Sequence, residues 1–404
     1  MTSQKTCRYE NGVLINLSEE KKMKCIFISL LLLCSSLFVC CHSQSPKQSA
    51  ATETFPPEIS VRQADIRYAE GFKLDYRQGY ILLRIQDPQS PNSSEYCFAL
   101  RQKGTTPPIP TGVTPLDLPI NRFICMTSLQ LSNFIRLKAT EKVVGISSTR
   151  FLKNKKIRQQ MAEGKTQKIG IEGNFDPEII MSLAPDVILI SPFKQGGYDA
   201  MKEVDIPLIP HLGYKETTPL GQAEWIKLIG LLTGKEKEAS EIFNGIENRY
   251  NTLKKRTANL QSRPVVLSGE IHGGTWYAVG GRSFLAQVFQ DAGADYFLKD
   301  DLRSGGIHLD FETVYNQADR ADYWRILNSF PGNYSYEALK AQDARYADFR
   351  AFRQKGVIYC NMREKAYYEE MPMEPDVLLS DFIKVFHPEL LPDYTPVYYN
   401  LLKE

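Results

Sequence analysis

The sequence predicts an α/β protein of two lobes with parallel sheets, bridged by one long α-helix. Three observations carry this. Between residues 122 and 209, short strands rich in β-branched residues alternate with helical stretches, the pattern of a parallel sheet covered on both faces. From about 222 to 260 that rhythm gives way to continuous helical periodicity. After Pro264 the alternation resumes.

Composition bounds the possibilities. The chain has 404 residues, 43% hydrophobic and 24% charged, which suits two or three ordinary domains and excludes a wholly disordered chain. Lys plus Arg number 49 against 47 Asp plus Glu, so the net charge of +2 lacks the basic excess of a nucleic-acid binder. A mean hydropathy of −0.32 excludes a polytopic membrane protein.

Residues 1–41 read as a signal region. Ile26 to Val39 is uncharged over fourteen residues, short for a hydrocarbon core of about 30 Å. It follows Lys21-Lys22-Met23-Lys24 directly, as a secretory signal would, with Met23 the natural start. An uncleaved anchor or a buried helix is the alternative. An apolar signal that ends at Cys resembles a bacterial lipoprotein signal, so Cys41, or Cys40, is the expected lipidation site and new N-terminus. Of the eight cysteines only Cys97, Cys125 and Cys360 lie beyond Cys41, without metal-knuckle spacing, and a chain this long needs no disulfide staple.

Residues 42–63 form a polar tether. Residues 64–119 make an N-terminal extension, strand-like through Phe72, Leu74, Tyr76 and Tyr80 to Leu83, then loop-rich with seven prolines between 87 and 119. The N-terminal α/β lobe is placed at 120–234. Its strands are Arg122 to Met126, Val143 to Ile146, Val187 to Ile190 and Leu208-Ile209; its helices are Leu129 to Leu137, Pro177 to Leu183 and Tyr198 to Glu203. A helix from about Gln222 to Leu232 stops at Gly234. The bridging helix is placed at 235–262, with a single stripe of Ala239, Ile242, Phe243, Ile246, Tyr250 and Leu253. Running to Asn259 it would be roughly 37 Å long; a heptad coiled coil is the alternative. The C-terminal α/β lobe, 263–404, carries strands at Val265 to Leu267 and Val357 to Tyr359 and helices at Ser283 to Ala292 and Val377 to Val385.

The two lobes share a local pattern. Phe175-Asp176-Pro177-Glu178 leads to Ala184-Pro185-Asp186-Val187, and Leu309-Asp310-Phe311-Glu312 leads to Ala321-Asp322-Tyr323. Asp176 and Asp310 sit where helix N-caps belong, and Glu178 and Glu312 in the first turn, favoured by the helix dipole. Capping explains either Glu alone but leaves open why both lobes carry one.

Several stretches in this order resemble the helical-backbone class of ABC-transporter substrate-binding proteins, the group that handles ferric siderophores, haem and cobalamin. They are Val143 to Ile146, Leu183 to Leu189, Pro219 to Lys227, Gly273 to Tyr277, Gly280 to Phe284 with Asp291-Ala292-Gly293, and Phe386 to Glu389. The likeness spans about Asn121 to Leu402 and is similar to a lipoprotein subgroup of Bacteroidetes-type bacteria. It implies two lobes joined by one stiff helix, a ligand between them, small opening motions, and a surface Glu on each lobe that meets Arg residues of a membrane permease. Glu178 and Glu312 match those positions.

In open α/β sheets the ligand crevice lies at the carboxyl ends of the strands. That rule selects the loops at Thr149 to Phe151, Ser191 to Phe193, His211 to Tyr214 and His272 to Tyr277, with Arg303 and His308 beyond. The ligand-binding candidates are Arg150, Phe193, Tyr214, Trp276, Tyr277 and Arg303. Aromatic faces suit a corrin, porphyrin or catecholate, and an Arg suits a carboxylate or anionic chelate; one of Trp276 and Tyr277 is expected to be core. His211, His272 and His308 lack ligand spacing and read as satisfied loop histidines, so no metal site is expected, although ligation by Tyr214, Tyr277 or a His stays open. Enzyme signatures such as H-E-x-x-H, G-x-S-x-G and the phosphate-loop motif are absent, and the adjacent pairs Asp300-Asp301 and Glu369-Glu370 are expected to be solvated.

The resemblance implies a monomeric lipoprotein on the periplasmic face of a bacterial membrane, without catalytic residues or intrinsic cofactor. It would pass an iron chelate, haem or cobalamin to an ABC permease and ATPase. The alternatives are a surface haem or cobalamin scavenger serving an outer-membrane system, and an enzyme on the same scaffold.

Overall fold

Apolar strands buried on both faces build the two lobes, and a third sheet lies N-terminal to them. A computed structural model describes residues 62–63, 65–90, 92–147, 149–171, 174–192 and 205–403, within one unit spanning 58–404. The signal region, Cys40 and Cys41, and the helix expected at Tyr198 to Glu203 lie outside the described residues.

The extension folds as β1 (Arg62–Gln63), β2 (Phe72–Arg77), β3 (Tyr80–Ile85), β4 (Tyr96–Gln102) and β5 (Thr114–Leu118), paired in that order. Neighbours are antiparallel except β4 and β5. Two of these strands occupy the stretch expected to be loop. Pro115 fits because β5 is an edge strand, where a missing N–H need not break a ladder.

The first lobe runs β6 (Phe123–Cys125), α1 (Ser128–Arg136), β7 (Val143–Ile146), α2 (Lys155–Ala162), β8 (Gln167–Lys168), a short pair β9 (Gly170–Ile171) and β10 (Asn174–Phe175), α3 (Pro177–Ser182), β11 (Val187–Ile190) and β12 (Leu208–Pro210). Its sheet has the order β12-β11-β6-β7-β8 with all pairs parallel. Every residue of β6, β7 and β11 is buried. Such strands read as unbroken apolar runs because helices cover both faces.

Next comes α4 (Pro219–Thr233), which starts three residues before the expected Gln222. Pro219 takes the first helical position, where its missing N–H is harmless. Thr218 caps the start, and Gly234 ends it in the left-handed region at φ 74°. All fifteen residues of α4 are buried, Glu224 and Lys227 included. The extension makes this tolerable. The Glu224 carboxylate accepts the backbone N–H groups of Arg67, Tyr68 and Ala69 at 2.7–3.0 Å, and Lys227 donates to it at 2.7 Å. Glu216 likewise accepts the N–H groups of Glu70 and Gly71 and the indole N–H of Trp225.

The long helix is α5 (Glu236–Thr257), 22 residues, about 33 Å at 1.5 Å per residue. Its stripe of Ala239, Phe243, Ile246 and Tyr250 is buried. It packs on α4 from the first lobe, and the second lobe grips its far half: Tyr250 donates to Asp291 at 2.8 Å and Arg249 to Asp376 at 2.5 Å.

The second lobe comprises β13 (Val265–Ser268), β14 (Glu270–His272), β15 (Thr275–Val279), α6 (Phe284–Asp291), β16 (Asp295–Tyr296), β17 (Gly306–Leu309), α7 (Phe311–Ala318), β18 (Tyr323–Asn328), α8 (Tyr336–Gln342), α9 (Arg350–Arg353), β19 (Val357–Asn361), α10 (Tyr367–Glu370), α11 (Pro375–Phe386) and β20 (Asn400–Leu401). The sheet order is β16-β13-β18-β19-β20, parallel except for β20 at the edge. A smaller antiparallel sheet, β14-β15-β17, stands beside it.

Removing the Glu224 carboxylate orphans three backbone donors and strips the buried Lys227 ammonium of its counter-charge, leaving it the Asp65 carbonyl at 2.6 Å. Glu224→Ala is expected to lower stability by about 3–5 kcal/mol, read by urea unfolding, whereas exposed Glu238→Ala stays within about 0.5 kcal/mol. Equal, small losses would contradict this account of the extension's attachment.

Candidate functional site

The strand-end loops of the two lobes converge on one cleft. On the second-lobe side lies a cavity of about 720 Å³, and against the first lobe one of about 920 Å³. Leu129, Tyr214, Tyr277 and Tyr368 border both. The first lobe contributes Thr127 to Leu129 after β6, Thr149 to Phe151 after β7, and Tyr214 and Lys215 after β12. The second contributes Glu270, His272 and Tyr277 from the small sheet, Arg325 from β18, and Tyr367 and Tyr368 from α10.

The cleft's charge is mostly positive. Among the described lining residues the cations are Arg150, Lys168, Lys215 and Arg325, and the carboxylate is Glu270. Lys215 pairs with Asp87 of the extension, whose Gln89 side chain donates to the Lys215 carbonyl at 2.8 Å and joins the cavity wall. Arg325 donates through Nε to the Tyr399 hydroxyl at 2.7 Å and lies 5.0 Å from that ring's centre. Burial pushes the Tyr367 phenol up to about 12, against the pull of Arg325. Glu270 is 6% exposed; one oxygen accepts from Asn328 at 3.2 Å, while the other has no hydrogen bond and lies 3.5 Å from the His272 Nε2. Burial raises its pKa; Asn328, His272 and Arg325 oppose the rise.

Of the six ligand-binding candidates, Arg150, Tyr214 and Tyr277 line the cleft. Phe193 lies outside the described residues. Trp276 does not face it: strand alternation turns it inward, fully buried among Trp324, Tyr346 and Phe349, with its N–H on the Ser268 carbonyl at 3.0 Å. Arg303 is also corrected. Its guanidinium is taken by Asp301, two residues away, and lines neither cavity.

The three candidate histidines do not meet at one point: His211 is buried against Trp225 in the first lobe, while His272, which lines the cleft, and exposed His308 each stand beside the Tyr277 ring. Glu369, expected to be solvated, is 3% exposed and accepts the backbone N–H groups of Lys153 and Asn154 at the start of α2 at 2.7 and 2.8 Å, joining the second lobe to the first. Glu178 and Glu312 are exposed in the first turns of α3 and α7, behind Asp176 and Asp310, whose carboxylates cap those helices as expected.

Sequence reasoning missed Gln89, Lys215, Glu270, Arg325 and the Tyr367-Tyr368 pair. The strand-end rule would have reached Glu270, two residues past β13. Arg325 carried no signal, because an Arg within a strand reads as solvent-facing.

A family profile described as periplasmic binding protein matches residues 124–363. The chain belongs to that family. Two uncharacterised lipoproteins of Methanocaldococcus jannaschii are each 25% identical to this periplasmic binding protein, over 68% and 86% of its length and 67% and 88% of theirs. Among solved structures it resembles a periplasmic heme binding protein from Pseudomonas aeruginosa (16% identity, 70% of this chain and 99% of that one, TM-score 0.54). It also resembles the molybdate periplasmic binding protein MolA of Haemophilus influenzae (17%, 68% and 88%, TM-score 0.54). At such identities the likeness speaks for the fold.

The neighbours Trp276 and Tyr277 separate stability from binding. Trp276→Ala is expected to cost about 3–5 kcal/mol in unfolding free energy. Tyr277→Ala costs under about 1 kcal/mol and instead weakens ligand capture in a titration; the reverse ranking would sink the assignment.

His211 makes a pH prediction. Burial lowers its pKa from 6.5 to about 4, so the folded protein resists a proton that the unfolded chain accepts. Its contribution is present above pH 6.5 and lost as pH falls towards 4, amounting to about 3 kcal/mol. Urea unfolding at pH 7 and pH 4.5 should show this loss, and His211→Gln should lack that portion of it.

Proposed function

We propose that this protein captures a bulky, partly anionic metal chelate, of the iron-chelate, haem or cobalamin kind, and delivers it to the permease of an ABC importer. One observation carries the reading: two adjoining cavities bordered by Tyr214, Tyr277 and Tyr368 and ringed by four cationic side chains. Cavities of this size take ligands much larger than a simple oxyanion. Phenol rings offer flat apolar faces with a polar tip, and the cations favour negative charge at the ligand's edge.

The work is binding. Because α5 is anchored in both lobes, the cleft is largely preformed, which lowers the ordering cost of capture. Glu178 and Glu312, each at the exposed start of a helix, supply one carboxylate per lobe for charge-assisted contacts with permease arginines. Lipidation at Cys41, or Cys40, would hold the protein at the outer face of its membrane. The lipoprotein names of the archaeal relatives agree with an anchor, and they lie beyond the bacterial subgroup that the sequence resembles.

Titration with haemin, cyanocobalamin and a ferric tricatecholate, followed by their visible bands and tyrosine–tryptophan quenching, tests the cargo. Saturable binding of one of them with Kd below about 1 µM (about −8 kcal/mol) is expected, and binding of none would refute the reading. With a bound cargo in hand, Glu178→Arg combined with Glu312→Arg should abolish uptake while leaving Kd unchanged. Retained uptake would dismiss the docking role.

A further inference from the structure

Residues 86–90 of the N-terminal extension form a loop with little freedom. The Gln86 N–H donates to the Gly71 carbonyl at 3.0 Å, Asp87 Oδ1 accepts the Gln89 N–H at 2.9 Å, and the Asp87 carbonyl accepts the Ser90 N–H at 3.0 Å. Pro88 closes on Gly71, where a Cβ would stand 2.8 Å from the Trp225 ring and 3.4 Å from Pro88. From this loop Gln89 reaches the cargo cleft.

The loop grips the turn that carries Tyr214. That turn, Gly213–Lys215, lies between β12 and α4. Asp87 Oδ2 pairs with the Lys215 ammonium, the two side chains being 18% and 21% exposed, and the Gln89 amide donates to the Lys215 carbonyl at 2.8 Å. One residue on, the Glu216 carboxylate accepts the N–H groups of Glu70 and Gly71. The extension thus holds both residues that follow Tyr214. Tyr214 itself is half-buried, rests on the core and borders both cavities.

Attachment of the extension does not require this second grip, because Glu224 and Glu216 already bind residues 67–71. Nor does attachment account for Gln89, which is exposed on the cavity wall and whose amide oxygen has no hydrogen-bond partner among the described residues. We infer that the 86–90 loop belongs to the cargo site: Asp87 is a positioning residue that acts through Tyr214, and Gln89 is a specificity-determining contact. This rests on the metal-chelate reading above and assigns the extension a part in it. A preformed ring loses less ordering free energy when cargo arrives than one on a loose turn.

The probes are haemin, cyanocobalamin and the ferric tricatecholate, titrated against the whole protein, with circular dichroism and thermal melting to confirm that each variant folds. Gln89→Ala is expected to leave the melt unchanged and to weaken the probe that binds by about fivefold, the size of one lost hydrogen bond. Asp87→Ala should weaken it about tenfold when Tyr214 is present and less than about twofold in a Tyr214→Ala background, because a double-mutant cycle isolates the effect transmitted through that ring. Wild-type affinity in Gln89→Ala, together with an Asp87→Ala loss equal in both backgrounds, would overturn the assignment and leave the chelate reading intact. Hydrogen exchange needs no cargo: Asp87→Ala should speed exchange of the Lys215 and Glu216 amides about tenfold while the rest of the first lobe is unchanged. Unaltered exchange there would overturn the positioning role. Binding of none of the three probes would refute the chelate reading, and the exchange result would then decide the loop by itself.

Discussion

Buried carboxylates that accept backbone N–H groups hold this molecule in its shape. A carboxylate has about four acceptor sites, so one side chain can gather several orphan donors from a segment distant in sequence. Glu224 and Glu216 gather residues 67–71 and lay the N-terminal sheet against α4. Asp381 fastens the C-terminal residues 397–399, and Glu369 ties the second lobe to the start of α2. Charge-assisted bonds of this kind are short and directional. Losing one partner leaves an uncompensated charge, so the attachments are specific as well as strong.

These attachments shape the site. The N-terminal extension packs Tyr68 against Glu247 and Phe243 of α5, pairs Asp87 with Lys215 and delivers Gln89 to the cleft wall. The matched family profile begins at residue 124, after this sheet, so part of the cleft is peculiar to chains that carry the extension. The long helix sets the separation of the lobes, and Glu369 restrains them at a second point. A receptor so braced binds by complementarity more than by closure.

Much of the framework was legible because its cause is local. The all-apolar strands Val143–Ile146 and Val187–Ile190, the N-caps Asp176 and Asp310 and the stop at Gly234 each follow from a few adjacent residues. The stripe on α5 did too, although the helix ends at Thr257, two residues short of the expected Asn259. The strands at 96–102 and 114–118 were hidden by neighbouring prolines, whose meaning changes once β5 is known to be an edge. The site was legible by half. Strand-end loops identified Arg150, Tyr214 and Tyr277, but whether Trp276 or Tyr277 faces the cleft depends on strand phase within β15, which a short run flanked by glycines does not reveal.

By itself the sequence determined the α/β alternation, the long amphipathic helix, the capped helix starts and the family order of motifs, all of which arise from interactions spanning a few residues. Tertiary structure alone decided which polar groups are buried and what satisfies them. Glu224, Glu369 and Glu270 look alike as letters, yet one anchors a sheet, one joins two lobes and one lines the cleft with Asn328 as its hydrogen-bond partner. Their partners stand 155, 215 and 58 positions away in the chain, a distance at which only the assembled fold selects who meets whom.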